Sequence, residues 1–138
     1  MKSFLHYDIK ILMAMLQAIK GDKKFFKYLL NNGYPELAAW SNVIRGDEQA
    51  LHWLFDNGFE AIAIITIAID GHADAQKWIN DTRDDFLIYF TAACRKDGDG
   101  IRWLQKKNLE IFVLIAKEVQ EIQDLQEKDR TFSFYRKN

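Results

Sequence analysis

The chain has 138 residues, 49% hydrophobic and 14% aromatic, with 19 basic and 20 acidic side chains and a formal net charge of −1. That length fits one domain over residues 1–138, and the apolar content supports a packed core, which excludes the charged, apolar-poor signature of disorder. The balanced charge argues against a nucleic-acid binder, which carries a basic excess, and the lone cysteine, Cys94, excludes an intramolecular disulfide framework.

Taken in chain order, residues 1–8 do not read as a signal peptide, because Asp8 and Lys10 interrupt the apolar stretch. Apolar residues at offsets of three and four predict a first helix at roughly 7–19. Gly21-Asp22 marks a turn and Asn32-Gly33 a stop, giving a second helix at about 22–31. Pro35 opens a third at about 35–44. The same punctuation then predicts helices at about 47–56, 59–69, 72–80, 84–94, 98–106 and 109–128. The most apolar run, 61–69, is far short of the ~20 residues that span a bilayer, so a cytoplasmic protein without membrane association is expected. No strand-like alternation recurs.

These elements repeat every 25 residues. Gly21-Asp22 recurs as Gly46-Asp47 and Gly71-His72, and Tyr28 recurs as Trp53, Trp78 and Trp103. Leu29, Leu54, Ile79 and Leu104 follow them. The other helix of each unit carries three apolar columns: Leu12, Leu37, Ile62, Leu87, Phe112; then Met15, Trp40, Ile65, Phe90, Ile115; then Ile19, Ile44, Ile69, Cys94, Val119. Between the last two lie Ala18, Val43, Ala68 and Ala93, small enough to let helices approach closely. A single unit cannot bury such a stripe, whereas stacked units can. The expected fold is therefore all-α, an α-α solenoid of about four to five short two-helix repeats. The last helix turns polar after Val119 and reads as a cap whose final turns face water. Residues 129–138, with Phe132, Phe134 and Tyr135, read as a flexible tail that folds over one end or pairs with another chain.

Residues 21–33 and 46–58, each running from Gly-Asp through a Tyr-Leu or Trp-Leu pair to Asn-Gly, resemble the second helix and loop of an ankyrin repeat. Residues 37–44 correspond to its first helix. The ankyrin unit is 33 residues with a β-turn finger; the 25-residue unit here lacks about the length of that finger, and the Thr-Pro-Leu-His signature is absent. The resemblance implies a scaffold that binds other proteins.

Candidate chemistry is sparse. His6, His52 and His72 lie in different units without metal-ligand spacing, so no metal and no cofactor are expected. Cys94 falls in a core column and reads as a small hydrophobe rather than a nucleophile. The segment 95–100 resembles a calcium loop, but Ile101 and Asn108 occupy positions that need oxygen ligands. Two columns suggest a partner surface. Lys27, His52, Lys77 and Arg102 align one basic-type residue per unit, suited to an acidic peptide or a phosphate-bearing ligand. Trp53, Trp78 and Trp103 lie beside them and suit either contact hot spots or packing between units. Against the first column, Asp56, Asp74, Asp81 and Asp99 stand at ion-pair spacing, as on any solvated helix. A non-catalytic scaffold binding an unknown protein or peptide is expected, with a self-assembling homo-oligomer as the alternative and a nucleic-acid or phosphate binder behind both.

Overall fold

The computed structural model describes the backbone of residues 3–137 and the side chains of residues 3–130. A 3-10 turn at Phe4–His6 precedes nine α-helices among the described residues: α1 (Ile9–Ile19), α2 (Lys23–Asn31), α3 (Pro35–Ile44), α4 (Glu48–Asp56), α5 (Glu60–Ile69), α6 (Ala73–Asp81), α7 (Asp85–Cys94), α8 (Gly98–Lys106) and α9 (Glu110–Lys137). No strand occurs among the described residues. The fold is all-α, as the 25-residue pattern requires.

The turns into α2, α4 and α8 are built alike. Asp22, Asp47 and Asp97 accept hydrogen bonds from the backbone N–H of Lys24, Ala50 and Asp99, which satisfies donors that a helix start leaves unpaired. At the preceding helix ends, the N–H groups of Asp22, Asp47, His72 and Asp97 donate to the carbonyls of Gln17, Asn42, Ile67 and Ala92, closing a Schellman motif at 25-residue intervals. The left-handed residue of this motif is Gly21, Gly46 and Gly71, and then Lys96 at φ 67°. In the second turn Gly33 and Gly58 give way to Arg83 at φ 56° and Asn108 at φ 58°. Tyr34, Phe59 and Leu109 close the same motif, whereas Asp84 N–H donates to Thr82 Oγ1, so the left-handed turn residue persists where the glycines have been lost.

The helices form two layers. α1, α3, α5, α7 and α9 pack each on the next, and α9 packs back against α1, so the inner layer closes into a ring. The outer helices α2, α4, α6 and α8 each sit over the inner helix before and the one after. All fifteen residues of the three predicted columns are buried. Aromatic rings fill the centre: Phe4 meets Trp40 edge-on at 4.9 Å and Phe90 at 5.8 Å, and Phe90 meets Phe112 at 5.6 Å. The Trp40 indole donates to the Ile62 carbonyl at 3.2 Å, so its one polar atom is satisfied inside the ring.

Two ends differ from the sequence expectation. α1 starts at Ile9 rather than near residue 7, because the Asp8 carboxylate accepts from Lys10 N–H and fixes the start there. α9 continues to Lys137 rather than stopping near residue 128, since no glycine or proline follows Gly100. Its polar turns do not simply face water. Gln120 donates to the Ala93 carbonyl at 2.6 Å and Gln126 to the Ile44 carbonyl at 3.2 Å, so the extension lies across the ends of α7 and α3. Lys96 pairs with Asp124 beside them. The expected fold-back or pairing of the aromatic tail falls on side chains outside the described residues.

Candidate functional site

The outer helices carry the two predicted columns. Lys27, His52, Lys77 and Arg102 are all exposed. Lys77 Nζ lies 2.9 Å from Asp81, which holds its ammonium pKa above the ordinary value, and Arg102 pairs with Asp99. These are exposed helix pairs of low energetic weight. Lys27 and His52 have no ion pair among the described residues. The basic column is therefore half neutralised, with its unpaired half on α2 and α4.

The aromatic column divides in the same place. Tyr28 and Trp53 are exposed, whereas Trp78 and Trp103 are half-buried against the core. Trp103 stacks on Tyr89 at 5.0 Å, with Lys107 Nζ 5.8 Å from its ring centre. Trp53 stacks on Phe59 at 5.9 Å and keeps an open face. Around them α2 and α4 also expose Phe25, Leu30 and Phe55. The equivalent positions further along are buried Ala75 and Gly100, or polar Asn80 and Gln105. Exposed large apolar side chains are thus concentrated on the first two outer helices, which also carry the exposed Lys27 and His52.

A second apolar surface follows from ring closure. Every neighbouring pair of inner helices has an outer helix over it except α9 and α1. Ile9 and Met13 on α1 and Leu114 on α9 are exposed along this seam. A cleft of about 250 Å³ lies at one end of it, between Leu5, Tyr7 and Ile9 and the start of α9. The signal for this gap is in the sequence: where a fifth Gly-Asp turn would fall stand Glu121 and Ile122, so α9 runs on, and among the described residues no outer helix lies over the seam.

Grooves between successive units form a third class of surface. One lies between α2 and the α3–α4 turn, about 520 Å³ in volume. Its floor is Ala18, Phe26 and Leu30, and its rim carries Lys23, Lys27 and Arg45. Its counterpart one unit later, about 290 Å³, has Val43 and Leu51 on the floor and Asp47, Glu48, Asp70 and His72 on the rim. A cleft of about 430 Å³ under the α9 extension carries mixed charges, Asp70, Arg95, Lys96, Asp124, Glu127 and Arg130.

Cys94 is fully buried and burial pushes its thiol pKa up, so it holds no reactive thiolate. Tyr7 donates to Glu36 at 2.8 Å; burial first, and that contact second, raise its phenol pKa. No group of three or more His, Cys, Asp or Glu side chains is placed to hold a metal among the described residues. No described helix is long and apolar enough to cross a membrane. Compared with family models, curated proteins and solved structures, the chain matches none.

Proposed function

We propose that the chain is a non-catalytic, ankyrin-like helical-repeat scaffold that binds another protein or a peptide through the outer face of its first two units, in the cytoplasm. The observation that carries this reading is the concentration of exposed large apolar side chains on α2 and α4, Phe25, Tyr28, Leu30, Trp53 and Phe55, on the same helices as the exposed Lys27 and His52. Aromatic side chains beside cations are the composition of interface hot spots, and a folded chain gains nothing from leaving them in water.

The test is affinity capture with the wild-type chain and with a Tyr28→Ala, Trp53→Ala, Phe55→Ser variant of equal helicity. A stoichiometric partner held by the wild type and lost by the variant supports the scaffold. A partner held equally by both moves the surface elsewhere on the protein, and no partner but the chain itself rejects the scaffold.

A specific observation also favours the second reading, self-assembly. The seam between α9 and α1 exposes Ile9, Met13 and Leu114 where every other inner pair is covered. Sedimentation of wild type against Met13→Glu, Leu114→Glu decides it: an oligomer that dissociates in the variant supports assembly through the seam, and a monomeric wild type rejects it.

A further inference from the structure

We infer that the groove between α2 and the α3–α4 turn binds an acidic peptide segment carrying large apolar side chains. This rests on the scaffold reading and specifies the partner's chemistry.

The case comes from two copies of one groove. The repeat places Ala18 and Val43, Gly21 and Gly46, Lys23 and Glu48, Phe26 and Leu51, and Arg45 and Asp70 at equivalent points of the two. Both keep a turn glycine and an apolar floor, with Leu30 present only in the first, while the rim reverses charge. Lys23, Lys27, Arg45 and Asp22 surround the first, and Glu48, Asp70, Asp47 and His72 the second. Asp22 and Asp47 are equivalent caps, accepting from Lys24 N–H and Ala50 N–H, so the reversal rests on Lys23 against Glu48 and Arg45 against Asp70. Arg45 is held in place by its Nε, which donates to the Ile19 carbonyl at 2.9 Å and leaves the other guanidinium nitrogens over Gly21. Lys23 and Lys27 are exposed and have no ion pair among the described residues. In a chain of net charge −1, α2 carries Lys23, Lys24 and Lys27 and no acid.

An apolar floor inside a cationic rim complements a segment that alternates carboxylates with Leu- or Phe-sized side chains. The floor supplies affinity through apolar burial, and the rim supplies discrimination and attraction at a distance. The second groove, smaller and acidic, repels the same segment and fixes it to one end of the stack.

The experiment uses fluorescence anisotropy with the full chain and three labelled peptides: Glu alternating with Leu and Phe, the same peptide with Lys for Glu, and Glu alternating with Ser. The first should bind at least about tenfold more tightly than the other two and weaken as salt rises. Lys23→Glu, Lys27→Glu, both at exposed positions, should lose that binding by about tenfold or more at unchanged helicity. Glu48→Lys, in the second groove, should leave it unchanged or strengthen it. Equal binding of the Lys peptide, or indifference to Lys23→Glu, Lys27→Glu, overturns the inference. Tighter binding of a single-stranded oligonucleotide overturns it in favour of a nucleic acid, and a dimer that this double variant dissociates overturns it in favour of a second copy. A partner captured through the Tyr28, Trp53 and Phe55 face that still binds Lys23→Glu, Lys27→Glu would sink the groove and leave the scaffold standing.

Discussion

Phe25, Ala50, Ala75 and Gly100 occupy one column of the repeat, yet Phe25 stands exposed on α2 while Gly100 is buried where α8 presses against α7. A Cβ at Gly100 would overlap the backbone of Tyr89 and Ala93. Where the column holds Gly100, α8 lies directly on the backbone of α7, and Trp103 beside it is half-buried, whereas Trp53 of the second unit is exposed. The last two units spend their aromatic side chains on packing. The first two leave Tyr28 and Trp53 exposed. One repeat therefore presents its outer aromatic column in two ways, exposed at Tyr28 and Trp53 and half-buried at Trp78 and Trp103.

The shared interior offers the largest test of that contrast. Trp40→Ala removes a ring that touches Phe4 and Phe90 and should cost about 3–5 kcal/mol, read as the denaturant midpoint. Trp53→Ala should cost far less stability and act on partner binding instead; an equal loss from both would mean that the outer face of the first units is packing after all.

Gly100→Ala comes next. It forces α8 away from α7 and should cost about 1–3 kcal/mol by overpacking, whereas Phe25→Ala should stay within about 0.5 kcal/mol. Thermal melts of the two variants would show whether tight docking is confined to the later units.

Arg45 and Asp70 also share a column, and they differ in what they give the ring. Arg45 satisfies the Ile19 carbonyl; Asp70 has no proton to give the Ile44 carbonyl, and Gln126 of α9 serves it instead. Gln126→Ala should cost about 1 kcal/mol, and Asp70→Arg should restore it, a coupling that a double-mutant cycle measures. Burial raises the Asp70 carboxyl pKa above its ordinary value, against the opposing pull of His72, Arg130 and Gln123. The folded protein then binds that proton more tightly than the unfolded chain, so the Asp70 contribution favours folding in acid and fades as pH rises through its folded pKa. Asp70→Asn should accordingly raise the melting point at about pH 7 and change it little at about pH 3.

The smallest effects lie in the turns between outer and inner helices. Gly58 and Arg83 hold the same left-handed conformation at φ 84° and 56°. Gly58→Ala should lose, and Arg83→Gly should gain, about 0.5–1 kcal/mol, because only glycine takes that conformation without steric cost. Gains and losses of the same sign would show that the turns of the two halves are not equivalent.

The sequence by itself determined the helices and the core. Caps such as Asp22 and Asp97, stops such as Gly33, and the fifteen-residue stripe act over a few neighbouring positions, so their outcome can be read along the chain. Periodicity also located the basic and aromatic columns, but not which of their members stay exposed, since Trp53 and Trp103 differ through the approach of a neighbouring helix. Only the tertiary structure decided that α9 meets α1, that Gln120 and Gln126 donate to carbonyls far away in the chain instead of facing water, and that two equivalent grooves carry opposite charge. Ring closure is the sum of small displacements over successive units. No single residue encodes that sum, and the contacts it creates join positions that no local pattern relates.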